Sequence, residues 1–141
     1  MVFPPEVLVK PSSTDQVARI LFLAQNENIP VTAIGARTGL SGGCLSVHGG
    51  IGISMERFNK IIHIDCDNMQ VVVEPGVITE ELQNEVAKDG LYYAPDPASK
   101  GSCFIGGNIA ENSGGPRALK YGVTKDFVLN LEVVLPNGNI I

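Results

Sequence analysis

The sequence predicts an α+β chain, a small βαβ subdomain followed by a second α+β subdomain, and three observations carry that expectation. A strand-like run, a helix-spaced run and another strand-like run follow one another within roughly 30 residues, the length of a βαβ unit. A later apolar run, "MQVVVEPG", leads straight into a second helix-spaced stretch. Two glycine-rich blocks hold 13 of the 16 glycines, seven from Gly35 to Gly52 and six from Gly101 to Gly122, after none in the first 34 residues. The expected division is residues 1–66 for the first subdomain and 67–141 for the second.

Taken in order, "EVLVK" (6–10) reads as a strand and "PSSTDQVARILFLAQNENIP" as a helix. Ser13 and Gln16 stand at capping-box spacing, and Val17, Ile20, Leu21 and Ala24 recur with helical period. "VTAIG" (31–35) is the next strand, expected to pair in parallel with the first through a right-handed crossover. "GIGISM" (50–55) and "KIIHID" (60–65) read as short strands, and "MQVVVEPG" (69–76) as a further one stopped by Pro75 and Gly76. Thr79 is the expected cap of "TEELQNEVAKDG", with Glu80 and Glu81 in its first turn, Lys88 near its end and Gly90 just beyond. "LNLEVVLPNGNII" closes the chain as a strand with a turn at Asn137–Gly138.

Composition removes several classes. With 44% hydrophobic and 18% charged residues, 141 residues can build a core. A net charge of −5 without a basic stripe argues against nucleic acid, and no apolar run approaches a membrane span. Cys44, Cys66 and Cys103 form no CxxC pair, which argues against a disulfide framework or zinc site and for a reducing, cytoplasmic setting. His48 and His63 have no acidic partners at ligand spacing, so no metal is expected. His63 reads as an outward strand residue, and Cys103 as a buried small one.

The first glycine block, "GARTGLSGG" (35–43), follows a strand. Glycine there lets backbone amides turn toward an anion, Thr38 and Ser41 add hydroxyls, and Arg37 adds a charge. A flexible surface loop is the plainer alternative. Neither GxxxxGK[ST] nor a GxGxxG that opens a helix is present, so this is neither a P-loop nor a Rossmann motif. In the second block, "CFIGGNIAEN" reads as a helix start in which Gly106 and Gly107 admit something close, either a ligand or the protein's own sheet.

Six stretches together resemble the flavin-binding domain of the PCMH-type FAD oxidoreductases, the vanillyl-alcohol oxidase superfamily. They are "KPSSTDQV" (10–17), "GARTGLSGG" (35–43), "VVVEPGV" (71–77), "YAPDPAS" (93–99), "IGGNIAENSGGPRALKYGVTKD" (105–126) and "LEVVLPNG" (131–138). The likeness is strongest to the D-lactate dehydrogenase and glycolate oxidase flavoprotein-subunit branch. It implies FAD held between two α+β subdomains, with hydride passing from a small 2-hydroxy acid to the flavin.

By the same resemblance, the loop formed by Ala36, Arg37, Thr38, Gly39, Leu40, Ser41, Gly42 and Gly43 would wrap the pyrophosphate. Pro95, Asp96, Ser102, Gly106, Gly107 and Asn112 would line the path from adenosine to isoalloxazine, together with Gly114, Gly115 and Gly122. No histidine lies in 35–43, so the FAD is expected to be non-covalent. One departure is Arg37, where members of this branch often have glycine, "GAGTG". The chain is also expected to stop before the remaining flavin-domain strands and a substrate cap that carries the catalytic residues. In complete enzymes of this kind an iron–sulfur subunit, at the inner face of the membrane, is an expected partner. Alternatives are a non-catalytic fragment that complements a second chain or dimerises through exposed sheet edges, and another flavoenzyme of the fold such as the UDP-sugar reductase branch.

Overall fold

In the computed structural model, which describes residues 3–141, the chain divides into two compact units. One contains the residues up to Arg57 together with Asn130–Ile141; the other is Phe58–Leu129. This division differs from a boundary after residue 66, and it assigns the C-terminal segment to the first unit.

The first unit is built on three parallel strands, β1 (Val7–Val9), β2 (Val31–Ile34) and β3 (Ile51–Ser54), in the order β1-β3-β2. Val7 and Val31 both pair with Ile51 from opposite sides. The expected βαβ unit is therefore parallel, but its two strands are not neighbours, because β3 inserts between them. Ile34, Ile53 and Ser54 are buried. A Cβ on Gly52, in the middle of β3, would stand 2.8 Å from both Ile34 and Pro5. Helix α1 (Thr14–Asn26) buries Val17 and Ala24 and leaves Phe22 and Leu23 exposed, as its spacing predicts. Ser13 caps it, with its hydroxyl accepting the Gln16 N–H at 3.3 Å. Gln16 reaches back to the Ser12 N–H at 2.8 Å, one residue earlier than the usual reciprocal box.

The C-terminal segment folds on itself. Val133 and Ile141 exchange two backbone hydrogen bonds around a turn in which the Gly138 N–H donates to Leu135 and Gly138 takes φ +81°. That is a type I turn at Pro136–Asn137 followed by a left-handed residue, a common three-residue hairpin loop. The Thr14 hydroxyl donates to Glu132 at 2.7 Å, and a Cβ on Gly138 would stand 3.1 Å from Phe22, so the turn closes against α1.

In the second unit, β4 (Ile61–Asp65) and β5 (Gln70–Val73) form an antiparallel hairpin. Its turn is fixed by the Asp65 carboxylate, which accepts from the Asn68 backbone at 3.0 Å and from its side chain at 2.8 Å. At the open end the Glu74 carboxylate accepts the Lys60 N–H at 2.8 Å. His63 is exposed on β4. Helix α2 (Thr79–Lys88) lays Leu82 and Val86 into a core with Val77 and Ile105, which Ile61, Ile64, Val71, Val73, Leu91, Tyr93 and Ile109 surround. Each fully buried aliphatic side chain of this kind contributes about 1.5–3 kcal/mol.

Thr79 is not the cap of α2. The cap position is Ile78, which bridges to Phe104, and Thr79 is the first helical residue. Its fully buried hydroxyl accepts from Asn108 Nδ2 at 2.6 Å and lies 3.2 Å from the Cys103 thiol. Asn108 belongs to the short helix α3 (Ile105–Glu111), whose first amides donate to the Val77 and Pro75 carbonyls. Helix α4 (Ala118–Tyr121) and a 3-10 turn (Thr124–Phe127) follow.

Two outcomes test this core. Thr79→Val leaves the Asn108 amide without its acceptor and lowers stability by about 1–3 kcal/mol in thermal unfolding, part of which Thr79→Val with Asn108→Leu recovers. Burial pushes the Tyr93 phenol up from 10 to about 12, with the Cys103 thiol adding and a Thr124 hydrogen bond opposing. The native state therefore keeps this proton where the unfolded chain loses it. Its contribution is full below about pH 10 and lost as pH rises toward about 12, a loss that Tyr93→Phe makes shallower in alkaline unfolding.

Candidate functional site

Strands β2 and β3 are parallel neighbours, so the chain must return along the sheet between them, a crossover usually made by a helix. Here residues 35–50 make it without a helix or strand. The loop leaves the C-terminal end of β2, the end of a parallel sheet where ligands gather in α/β folds. Among the described residues, none of the N–H groups of Ala36, Arg37, Thr38, Gly39 and Leu40 donates a hydrogen bond within the protein. Leu40 is fully exposed, Arg37, Gly39, Ser41 and Gly43 are exposed, and Ala36, Thr38 and Gly42 are half-buried.

Four residues of this loop have left-handed backbone, Arg37 at φ 61°, Gly42 at φ 80°, Gly49 at φ 68° and Gly50 at φ 71°. For Gly42 this conformation costs nothing, whereas for Arg37 it costs about 1–2 kcal/mol. Alternation of left- and right-handed residues is how a chain turns consecutive amides toward one anion. Further along, Leu45 donates to the Gly42 carbonyl at 3.0 Å and Ser46 to Phe3 at 3.3 Å, which ties the loop's far side down. The Ser46 hydroxyl is buried with no partner among the described residues.

The remaining expected residues lie in the second unit. Pro95 is buried, and its carbonyl accepts from Gln83 Nε2 at 2.7 Å. Asp96 receives Lys100 Nζ at 3.0 Å and Arg117 Nε at 3.5 Å, with its side chain 14% exposed. Ser102 is exposed and donates to the Ser99 carbonyl. Asn112 ends α3 in a left-handed conformation, and its Oδ1 accepts the Lys125 N–H at 3.0 Å. Gly114 and Gly115 follow it, and Gly122 ends α4.

The glycines here do different work. A Cβ on Gly115, at φ 143°, would collide with the Asp96 carbonyl, and one on Gly106 would stand 2.7 Å from Pro75. These two answer to the protein's own packing. Gly107 is exposed, and a Cβ there would meet nothing within 4 Å, so no neighbour in the protein requires its bare face.

Sequence reasoning did not single out Lys100 or Arg117. Asp96 and Lys100 stand four apart but outside any helix, so no helical period announced their pairing. Arg117 also lies over the Tyr92 ring at 5.6 Å, and Tyr92 meets Tyr121 edge-on at 5.8 Å, an arrangement that only the fold produces. Cys103 is buried, as expected.

The Lys100 hydrogen bond, aided by the charges of Lys100 and Arg117, holds the Asp96 carboxyl below its ordinary value against the opposing effect of desolvation. Its contribution to stability is therefore complete above about pH 4 and disappears as pH falls through the lowered native value. Asp96→Asn flattens that part of the acid limb in unfolding measured across pH.

Among solved structures, alkyldihydroxyacetonephosphate synthase superposes with a TM-score of 0.84 at 29% identity, over 93% of this chain and 27% of that one. The 6-hydroxy-D-nicotine oxidase of Arthrobacter nicotinovorans gives 0.83 at 24% identity, over 100% of this chain and 32% of that one, a likeness of fold. Among curated proteins, a D-lactate dehydrogenase of Anaerostipes hadrus is 47% identical over 97% of this chain, and the glycolate oxidase subunit GlcD of Bacillus subtilis is 45% identical over the same share. This chain spans 29% of the length of each. The pattern of the FAD binding domain family matches residues 5–141. The chain belongs to that family, and its fold is the PCMH-type flavin-binding fold.

Proposed function

We propose that this chain is the FAD-holding portion of a flavin-dependent 2-hydroxy-acid dehydrogenase of the D-lactate or glycolate type. The observation that carries the reading is the run of unpaired backbone donors from Ala36 to Leu40. The pyrophosphate of FAD is rich in acceptor oxygens and needs such donors, so the loop fits the group. The names of the relatives, D-lactate dehydrogenase and glycolate oxidase subunit, support the substrate class.

In this reading Ala36 to Gly43 hold the pyrophosphate, and among the described residues the crossover already leaves the amides of Ala36 to Leu40 without partners. Gly107 offers backbone that a ring or phosphate can approach closely. Gly106 and Gly115 act one step back, by letting the Gly107 and Asp96 segments take their places. Lys100 and Arg117 fix the Asp96 carboxylate, so its backbone is held for the cofactor rather than its charge. Bound FAD supplies a hydride acceptor for the carbon that bears the substrate hydroxyl. The cofactor is held non-covalently in a cytoplasmic setting, and the word "subunit" in relatives from B. subtilis and Escherichia coli supports work within a multi-chain assembly. Among the described residues no helix is long and apolar enough to cross a membrane.

The test is an FAD titration followed by flavin fluorescence and thermal unfolding together. Saturable binding with a rise in Tm, worth about 2.7 kcal/mol at 100 times Kd, is the expected result. Absence of both binding and shift overturns the reading.

A further inference from the structure

We infer that Arg37 is a phosphate-contacting residue, adding one positive charge to a cradle otherwise made of neutral backbone donors. This rests on the FAD reading above and goes beyond it, because members of the resembled branch often have glycine at this position.

Four observations converge on the side chain. Arg37 sits second in the run of five amides that donate to nothing within the protein. It is exposed, and among the described residues it makes no ion pair and stacks on no ring, whereas Arg117 is held by both Asp96 and Tyr92. Between Glu27 and Glu56 it is the only Lys, Arg, Asp or Glu, so its own stretch of chain offers it no counter-charge. Its backbone is left-handed at φ 61°, a conformation glycine adopts freely, so the side chain is carried there against a conformational penalty.

The chemistry matches. A guanidinium presents a planar fork of donors suited to phosphate oxygens, and such charge-assisted bonds are roughly twice as strong as neutral ones. The chain carries a net charge of −5, which disfavours the approach of a dianion, and a local cation offsets that field at the point of contact. Contact through Arg37 makes FAD binding depend on ionic strength, since exposed charges are screened over about 10 Å at ~0.1 M salt.

Arg37→Gln separates charge from strain, because it keeps a side chain and the left-handed backbone while removing the cation. Arg37→Gly removes both. FAD affinity is measured for the wild type and both variants by flavin fluorescence at ~20 mM and ~200 mM NaCl, with the apo Tm of each. The expected result is wild-type affinity that falls with salt, both variants binding about threefold to tenfold more weakly at low salt with little salt dependence, and a raised apo Tm for Arg37→Gly alone. Arg37→Gln that binds FAD as the wild type does at both salt concentrations overturns the inference and leaves the cofactor reading standing. A wild type that fails to bind FAD at all overturns the cofactor reading, and the inference with it.

Discussion

Parallel pairing of β2 with β3 is the constraint from which the rest of the first unit follows. Two parallel neighbours cannot be joined by a tight turn, so the chain has to travel back along the sheet before it can pair again. A helix would satisfy its own backbone on that journey. Residues 35–50 make it as irregular chain, and among the described residues the amides of 36–40 are left without partners at the strand's C-terminal end. In the proposed reading, the donors offered to a pyrophosphate are thus a by-product of the connection. Glycine content, left-handed Gly42 and the exposure of the loop all serve that one geometric requirement.

The second unit shows the complementary case, in which small residues bring protein against protein. Gly106 lies on Pro75, Gly115 on the Asp96 carbonyl, and the buried Thr79 hydroxyl ties α2 to α3 through Asn108. A glycine-rich stretch therefore combines two purposes that its composition does not separate. Gly107 differs from the adjacent Gly106 in being exposed, and among the described residues a Cβ there would meet nothing within 4 Å.

What was legible in the sequence was local. Ser13 announces α1 because its hydroxyl bonds an amide three residues on, and Leu82 and Val86 announce α2 because helical period brings them to one face. The family was legible because six separate stretches agree. The β1-β3-β2 order was not, since which strand inserts between two others is decided by distant segments. Thr79 has the residue type of a cap and acids behind it, yet the bridge between Ile78 and Phe104 sets the helix start one residue earlier and turns the hydroxyl inward. Of the proposed site, the segment 36–43 was readable as a loop from its glycine spacing. The engagement of Asp96 by Lys100 and Arg117 needed the fold.

The return of Asn130–Ile141 to the first unit bears on how that unit is closed. Phe58–Leu129 is one uninterrupted stretch, whereas the first unit joins the residues up to Arg57 with Asn130–Ile141 across it. Bringing those two segments together closes a long loop, and loop closure costs conformational entropy. The hydrogen bond from Thr14 to Glu132 and the fit of the Gly138 turn against α1 are what offset that cost, so the scaffold behind the loop that begins at Gly35 depends on contacts far from it in the chain.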